Sequence, residues 1–410
     1  MIGEWPQFFY RPAPLSLSAK AGDTKPDVYY IVLDRYTSQD VLRAQFNFDN
    51  SPFTNFLADQ GFSVNPDAHQ NYPYTTMSIS STLDAQYHSD EVKQFSGASY
   101  QTVEPYHDDI RYAPVIQEFK SLGYSFTQLG TWYEASNQAP LADHSYQPDG
   151  LLTIFNHTVT LNTFSKEQIT TSIFWRFLQQ TFSLGNFTVY GYSGIPEQDA
   201  TTAKIQILKD LATAPAGGRF IFAHLLIPHD PYYFNADGST NPNSSSDNVG
   251  EPIKQKYVNQ VQFINGQMEQ IVTDINTATQ GKAVIIIQSD EGPYPIQLNG
   301  ENFDGDAVTS DLASGSMLDW SNTDLTMKYG ILAAYHVPQA SVSDMQQGND
   351  SVNIFRVVLN AYFNAGLPYL PRCYYAYPNG RNQPFVYTDI TQRITGSANP
   401  ACPADSIFKP

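Results

Sequence analysis

Two stretches of this chain end in carboxylates where a buried strand would stop. In Ala283-Val284-Ile285-Ile286-Ile287-Gln288-Ser289-Asp290-Glu291-Gly292-Pro293 an apolar, β-branched run gives way to two acids, a glycine and a proline. Val28-Tyr29-Tyr30-Ile31-Val32-Leu33 ends in the same way, at Asp34. Such runs are typical of strands buried on both faces, and in an open α/β sheet ligands bind in the crevice beyond the strands' carboxyl ends. If the two strands lie parallel in one sheet, Asp34, Asp290 and Glu291 converge at one edge. Three carboxylates there repel each other, and a cation resolves that. Taken singly, each acid reads equally well as an exposed strand end; their joint placement is what points to a metal.

A third stretch, Asn71-Tyr72-Pro73-Tyr74-Thr75-Thr76-Met77-Ser78-Ile79-Ser80-Ser81-Thr82-Leu83, is rich in hydroxyls and predicts a turn running into a helix near Thr75. Backbone N–H groups at a helix start are unpaired and favour an anion. A threonine hydroxyl placed there is a candidate nucleophile. The competing reading has these hydroxyls capping the helix and facing solvent.

The elements that must position these groups alternate along the chain. Asn50-Ser51-Pro52 opens a short helix with Phe53, Phe56 and Leu57 on one face and Gly61 as its stop, followed by a brief strand at Phe62-Ser63-Val64. A helix over Arg111–Leu122 precedes a strand over Tyr124–Thr127. Between Gly130 and Gly194 the pattern predicts one helix, Lys166–Phe182, in an insertion that shapes the substrate entrance. A helix over Thr201–Leu211 leads to a buried strand over Arg219–Leu226 and then to Ile227-Pro228-His229-Asp230-Pro231-Tyr232. Tyr257, Val261, Ile264, Met268, Ile271 and Ile275 recur at steps of four and three, the spacing of a long amphipathic helix. Asn299–Asp324 reads as an acidic loop over the active edge, Tyr329–Tyr335 as a strand and Val352–Phe363 as a helix. This alternation predicts an α/β fold with a mostly parallel central sheet and helices on both faces.

Length and composition bound the rest. The chain has 410 residues and 41% hydrophobic side chains, enough for a sizeable core. Its formal charge of −18 excludes a nucleic-acid partner, because phosphate backbones are bound through an excess of Lys and Arg. An anionic substrate then needs a local positive centre, which a bound metal supplies. The only two cysteines, Cys373 and Cys402, are placed to close one loop near the C-terminus, which leans toward an oxidising compartment. No run approaches the roughly 20 apolar residues of a membrane span, and Met1–Asp27 lacks the order of a signal peptide. Residues 1–26 read as a linker, 27–394 as one catalytic domain, and 395–410 as a tail tied by the disulfide.

Taken together, Asp27–Asp34, Asn71–Leu83, Phe222–Phe234, Ala283–Pro293 and Lys328–Pro338 resemble, in order and spacing, the motifs of sulfatase-like hydrolases and transferases of the alkaline phosphatase superfamily. The resemblance spans about Asp27 to Ile394. It is strongest to the bacterial membrane-anchored group of lipoteichoic acid synthases and phosphoethanolamine transferases, and it implies an alkaline phosphatase-like fold. By this resemblance Asp34 is the first metal-binding carboxylate, Thr75 the nucleophile and a metal ligand, and Asp290 the aspartate of an Asp-His-Gly motif. Glu291 stands where histidine is usual. As a ligand it shifts preference from zinc toward manganese, magnesium or calcium. His229 matches the histidine beside the substrate, with His224 a second candidate for that place.

The resemblance implies one divalent metal, with zinc an option, and a phosphothreonine intermediate. A phosphoryl-alcohol group would move from a phospholipid-type phosphodiester to an envelope glycan. Two alternatives stand beside it: a metal-dependent phosphodiesterase or sulfatase-like ester hydrolase with water as acceptor, and a non-catalytic binding module on the same fold. Formylglycine chemistry does not fit, since threonine cannot become that aldehyde and no cysteine lies near Thr75. The expected setting is the extracytoplasmic face of a bacterial envelope, secreted or held at the membrane surface through a segment outside this chain. His336 reads as a packing or surface residue rather than part of a second metal site. Asp304 and Asp306 have a carboxylate spacing reminiscent of calcium loops, without the remaining ligands.

Overall fold

The structure is a computed structural model. It describes residues 12, 15, 25–95, 103–131, 134–146, 151–154, 157–160, 182–184, 187–189, 197–246, 248–295, 316–378, 383–399 and 401–402. The expected helix over 166–182, Asp304, Asp306 and most of the expected linker and acidic loop lie outside the described residues, apart from the end residue Phe182, which begins a strand.

Thirteen strands are described: β1 Val28–Leu33, β2 Ser63–Val64, β3 Ser125–Leu129, β4 His144–Tyr146, β5 Leu151–Ile154, β6 His157–Thr160, β7 Phe182–Leu184, β8 Phe187–Val189, β9 Arg219–Leu225, β10 Val284–Gln288, β11 Ala333–His336, β12 Tyr375–Ala376 and β13 Thr388–Asp389. Seven form the main sheet, in the order β2-β11-β10-β1-β9-β3-β4. The five from β10 to β4 run parallel, while β11 pairs antiparallel with both β10 and the edge strand β2. The remaining described strands form three two-stranded ribbons. The fold is thus the mostly parallel α/β sheet that the alternation of elements predicts.

β1 is the centre of this sheet, and its side chains divide the core in two. Tyr29, Ile31 and Leu33 face the layer built by the helices Gln39–Phe46, Ser51–Asp59, Glu197–Thr213 and Ile253–Thr279. Val28, Tyr30 and Val32 face the helices Thr75–Asp84, Pro114–Ser121 and Ile354–Phe363. The alternation follows from the two-residue period of a strand. A third cluster, rich in tyrosine, joins the start of the Thr75 helix to the segment around β12 and β13. The Cys373–Cys402 disulfide ties that segment, with Cα atoms 5.7 Å apart.

Two expected elements differ. The helix over 111–122 is two helices, Glu104–Arg111 and Pro114–Ser121, because Pro114 has no N–H to continue the first. The strand over 329–335 begins only at Ala333. The residues before it form the helix Asn322–Tyr329, whose N-terminus is capped by the Ser321 hydroxyl accepting from the Asp324 N–H.

Candidate active site

Parallel pairing sets the register that brings the acids together. Val32 lies opposite Gln288 on β10 and Leu33 opposite Leu225 on β9, so Asp34 and Asp290 leave adjacent strands at the same edge. His224 projects from β9 level with Val32. One ligand atom from each of Asp34, His224 and Asp290 lies within 4.8 Å of the other two, and all three residues are buried.

Their hydrogen bonding leaves acceptors facing one another. Asp34 Oδ1 and Asp290 Oδ2 are buried without a partner. Asp290 Oδ1 accepts from the backbone N–H of Glu291 at 2.9 Å and of Arg35 at 3.2 Å. His224 Nδ1 stands 2.9 Å from the Ser136 hydroxyl, itself 2.9 Å from that of Thr131. If Nδ1–H donates to Ser136, the Nε2 lone pair is aimed at Asp34 Oδ2, 3.3 Å away. Two acceptors at that range need a cation between them, and an imidazole fixed at its other nitrogen is the usual form of a metal ligand. Burial, opposed by Asp34, pulls the His224 pKa down, which favours the neutral, metal-binding ring.

The two carboxylates compete for ionisation. Burial alone would raise Asp34, but His229, His224 and Arg35 outweigh it and hold the carboxyl at about 2. Burial and the charges of Asp34 and Glu291 push Asp290 well above the ordinary carboxylate range. The unpartnered oxygens and the mutual repulsion both fit a bound divalent cation.

Thr75 is the first residue of the helix Thr75–Asp84. Tyr74 precedes it in an extended conformation, and no side chain caps the helix. The Thr75 side chain lies beside Asp290 and lowers that carboxyl's pKa against the effect of burial. Of the hydroxyls behind it, Ser78, Ser80, Ser81 and Thr82 are buried and donate to backbone carbonyls, not to solvent.

Glu291, expected beside the metal, has one carboxylate oxygen engaged by two cations and the other, Oε2, buried without a hydrogen-bond partner among the described residues. Its Oε1 lies 2.8 Å from Lys328 Nζ and 3.1 Å from Arg35 Nε. The chain bends at Asp290, beyond the end of β10 at Gln288, and adjacency there does not by itself carry Glu291 into the same cluster. His224, expected near substrate, supplies the third atom of the cluster instead. Lys328 lies 3.5 Å from the centre of the Tyr294 ring, and burial brings its pKa down to about 8 against the opposing pull of Glu291. Arg35 also pairs with Asp230, whose other oxygen accepts from Ser246 at 2.6 Å. Arg35 has φ 62, in the left-handed region that non-glycine residues rarely adopt, and this turn aims its N–H at Asp290.

Gly292 is required by close approach. A Cβ there would stand 2.1 Å from the Met327 carbonyl oxygen, and its N–H donates to the Lys328 carbonyl at 2.7 Å. That contact presses the Asp290 turn against the end of the helix that carries Lys328.

His229 sits at the rim, its side chain partly exposed and Nδ1 3.5 Å from Asp230 Oδ1. His336 lies at the far end of the sheet, opposite Ile285, with Nδ1 2.9 Å from the Ala283 carbonyl and its ring against Phe62. Its role is packing. Four residues that shape the site were not singled out from the sequence: Arg35, Ser136, Asp230 and Lys328. Three of these carried a signal, since Arg35 directly follows Asp34, Asp230 directly follows His229 and Lys328 opens one of the recognised motifs; Ser136 carried none.

No family profile matches the chain, and neither does any curated protein. Among solved structures, the C-terminal periplasmic domain of EptC from Escherichia coli aligns with a TM-score of 0.52 at 11% identity, over 93% of this chain and 97% of that one. The same domain in complex with zinc gives 0.49 at 13% identity, over 88% and 87%. The integral membrane lipooligosaccharide phosphoethanolamine transferase A of Neisseria meningitidis gives 0.47 at 10%, over 84% of this chain and 56% of that one. The likeness is one of fold. The chain shares the α/β architecture of that periplasmic domain.

Proposed function

We propose that this chain is a metal-dependent transferase of the cell envelope. It takes a phosphoryl-alcohol group from a phospholipid-type phosphodiester onto Thr75 and passes it to a glycan hydroxyl. The observation that carries this reading is the placement of Thr75 at the uncapped start of a helix, its side chain beside Asp290 in the buried group of Asp34, His224 and Asp290.

Asp34, His224 and Asp290 would hold one divalent ion, with Thr75 at its edge. One imidazole and two carboxylates suit zinc or manganese better than calcium, and with Glu291 engaged by Lys328 the preference for harder ions loses its basis. When bound, such an ion lowers the pKa of the Thr75 hydroxyl and neutralises charge on the transferred group. Asp290 lies beside the Thr75 oxygen and would orient it. The start of the helix offers its first turn to a phosphoryl oxygen. The Thr75 oxygen, its proton given up to solvent beforehand, bonds to phosphorus as the bond to the departing alcohol breaks, and protonated His229 at the rim delivers the proton that alcohol needs. In the second half the acceptor hydroxyl gives its proton to His229, bonds to phosphorus and releases Thr75. The Cys373–Cys402 disulfide supports an extracytoplasmic setting.

The test uses metal-loaded protein and a phospholipid labelled in its head group. Label is expected on Thr75 by peptide mass and then on an added sugar acceptor. Label released to water alone would make the enzyme a hydrolase on the same residues. Turnover by Thr75→Ala at the rate of the unaltered protein would overturn the reading.

A further inference from the structure

A second group of acids and histidine lies at the opposite end of the Thr75 helix. Asp84 is its last residue, His88 follows just beyond, and Asp109 projects from the helix Glu104–Arg111. With a rise of about 1.5 Å per residue, Asp84 is roughly 13 Å from Thr75 along the helix. One ligand atom of each of Asp84, His88 and Asp109 lies within 4.8 Å of the other two. All three residues are buried, Asp109 completely.

The partners these groups lack are more telling than their proximity. Asp109 Oδ1 and Oδ2 and Asp84 Oδ1 are all buried with no hydrogen-bond partner. Among the described residues no lysine or arginine pairs with either acid. The nearby Arg111 is taken by Glu104 and Asp108, and Lys93 by Asp90. Asp84 also sits at a helix C-terminus, where the backbone dipole disfavours a negative charge. Leaving two such carboxylates buried and uncompensated costs several kcal/mol per ion.

His88 is oriented as a ligand would be. Its Nε2 is 2.9 Å from the Met77 carbonyl oxygen, which can only accept, so Nε2 carries the proton. Nδ1 is then left with its lone pair, and the Glu91 carboxylate stands 3.7 Å from it. The ring is held between Tyr72 and Tyr106, with centroids 4.6 and 4.5 Å away. A histidine donating one ring N–H to a carbonyl while its other nitrogen stands near a carboxylate has the outer-shell arrangement of metal-bound imidazoles.

We propose that Asp84, His88 and Asp109 form a second, structural metal site, for a divalent transition ion of the zinc or manganese kind, with Glu91 alongside. Mixed imidazole and carboxylate donors select that class over magnesium or calcium. The ion ties the far end of the Thr75 helix to the Glu104–Arg111 helix and so holds the nucleophile's helix in place without touching substrate. This inference does not depend on the reaction proposed above.

The test counts metal. Protein loaded with manganese or zinc and freed of excess is expected to hold two ions per chain by elemental analysis. Asp34→Asn should hold one, Asp109→Asn one, and the double variant none. Should Asp109→Asn fail to fold, anomalous scattering at the metal's absorption edge from crystals of the unaltered protein decides, with a peak expected between Asp84, His88 and Asp109. No peak there, or a metal content unchanged by Asp109→Asn, overturns the proposal and leaves a proton shared by the two acids as the explanation.

Discussion

Replacing Glu291 with glutamine separates two roles for the residue that departs from the recognised motif. The structure pairs it with Lys328 and Arg35, and at 2.8 Å the attraction to the Lys328 ammonium is about 6 kcal/mol for an effective dielectric near 20. Desolvating both charges offsets part of this, but Lys328 is fully buried, so removing its partner strands a cation. Breaking a buried pair in this way costs about 3–5 kcal/mol. An unfolding entropy of about 2.1 cal/mol/K per residue over 410 residues makes each kcal/mol worth about 1 °C, so Tm should fall by about 4–6 °C. Two assays check this: thermal unfolding with and without chelator, and metal affinity by competition. A counter-ion role predicts the same loss with and without metal, a metal Kd shifted by less than about threefold, and recovery of most of the loss when Lys328→Met is added. A loss seen only in the metal-loaded protein, together with a Kd weakened about a hundredfold or more, would place Glu291 among the ligands and refute the assignment.

Three further outcomes are expected. Ser136→Ala removes the group that fixes His224 and should weaken metal binding by about 10–100-fold in the competition assay; a change below twofold would separate His224 from the metal. Burial raises the Asp350 carboxyl to about 6, against Arg372, the Val352 N–H and Asn71, so the folded state binds the extra proton between the ordinary value and about pH 6. Stability from this group is therefore present below about pH 4 and lost as pH rises through 6, worth about 3 kcal/mol. Denaturant titrations should show Asp350→Asn gaining on the unaltered protein by up to that amount at pH 7.5, with the gap closing toward pH 4. The Cys373–Cys402 bridge spans 29 residues, and opening it as the Cys373→Ala/Cys402→Ala double variant should lower stability in urea by about 3–4 kcal/mol. A loss below 1 kcal/mol would mean the bridge constrains little.

The parts of the site legible in the sequence are those fixed by local pattern and strand ends. Asp34 and Asp290 each follow a run that can only be a buried strand, and parallel pairing then sets them side by side. The start of the Thr75 helix was legible from its turn and hydroxyls. What stayed hidden depends on tertiary partners. Nothing along β9 distinguishes His224 from a core histidine until Ser136 and Asp34 are seen at its two nitrogens. The Asn322–Tyr329 helix was hidden by an acidic stretch that reads as loop, although Ser321 and Asp324 stand at capping-box spacing. The ion pairs of Glu291 were hidden as well, because its two cations come from Arg35 and Lys328, one of them distant in the chain.

The charges at this edge explain why a glutamate there is compatible with a metal site. Asp230 is neutralised by Arg35, and Glu291 by Lys328 with help from Arg35. That leaves Asp34 and Asp290 as the pair with no lysine or arginine ion pair among the described residues, next to an imidazole that burial keeps neutral. Two uncompensated negative charges and one neutral donor match a divalent ion. If Glu291 were instead a third anionic ligand, Lys328 would be buried with no counter-charge and the metal would carry an excess of one. Glu291 and Lys328 therefore belong together as a unit that props the Asp290 turn, through the same contact in which Gly292 meets the Lys328 carbonyl. On this account the residue after the metal-binding aspartate is free to vary in chemistry only as long as residue 328 varies with it.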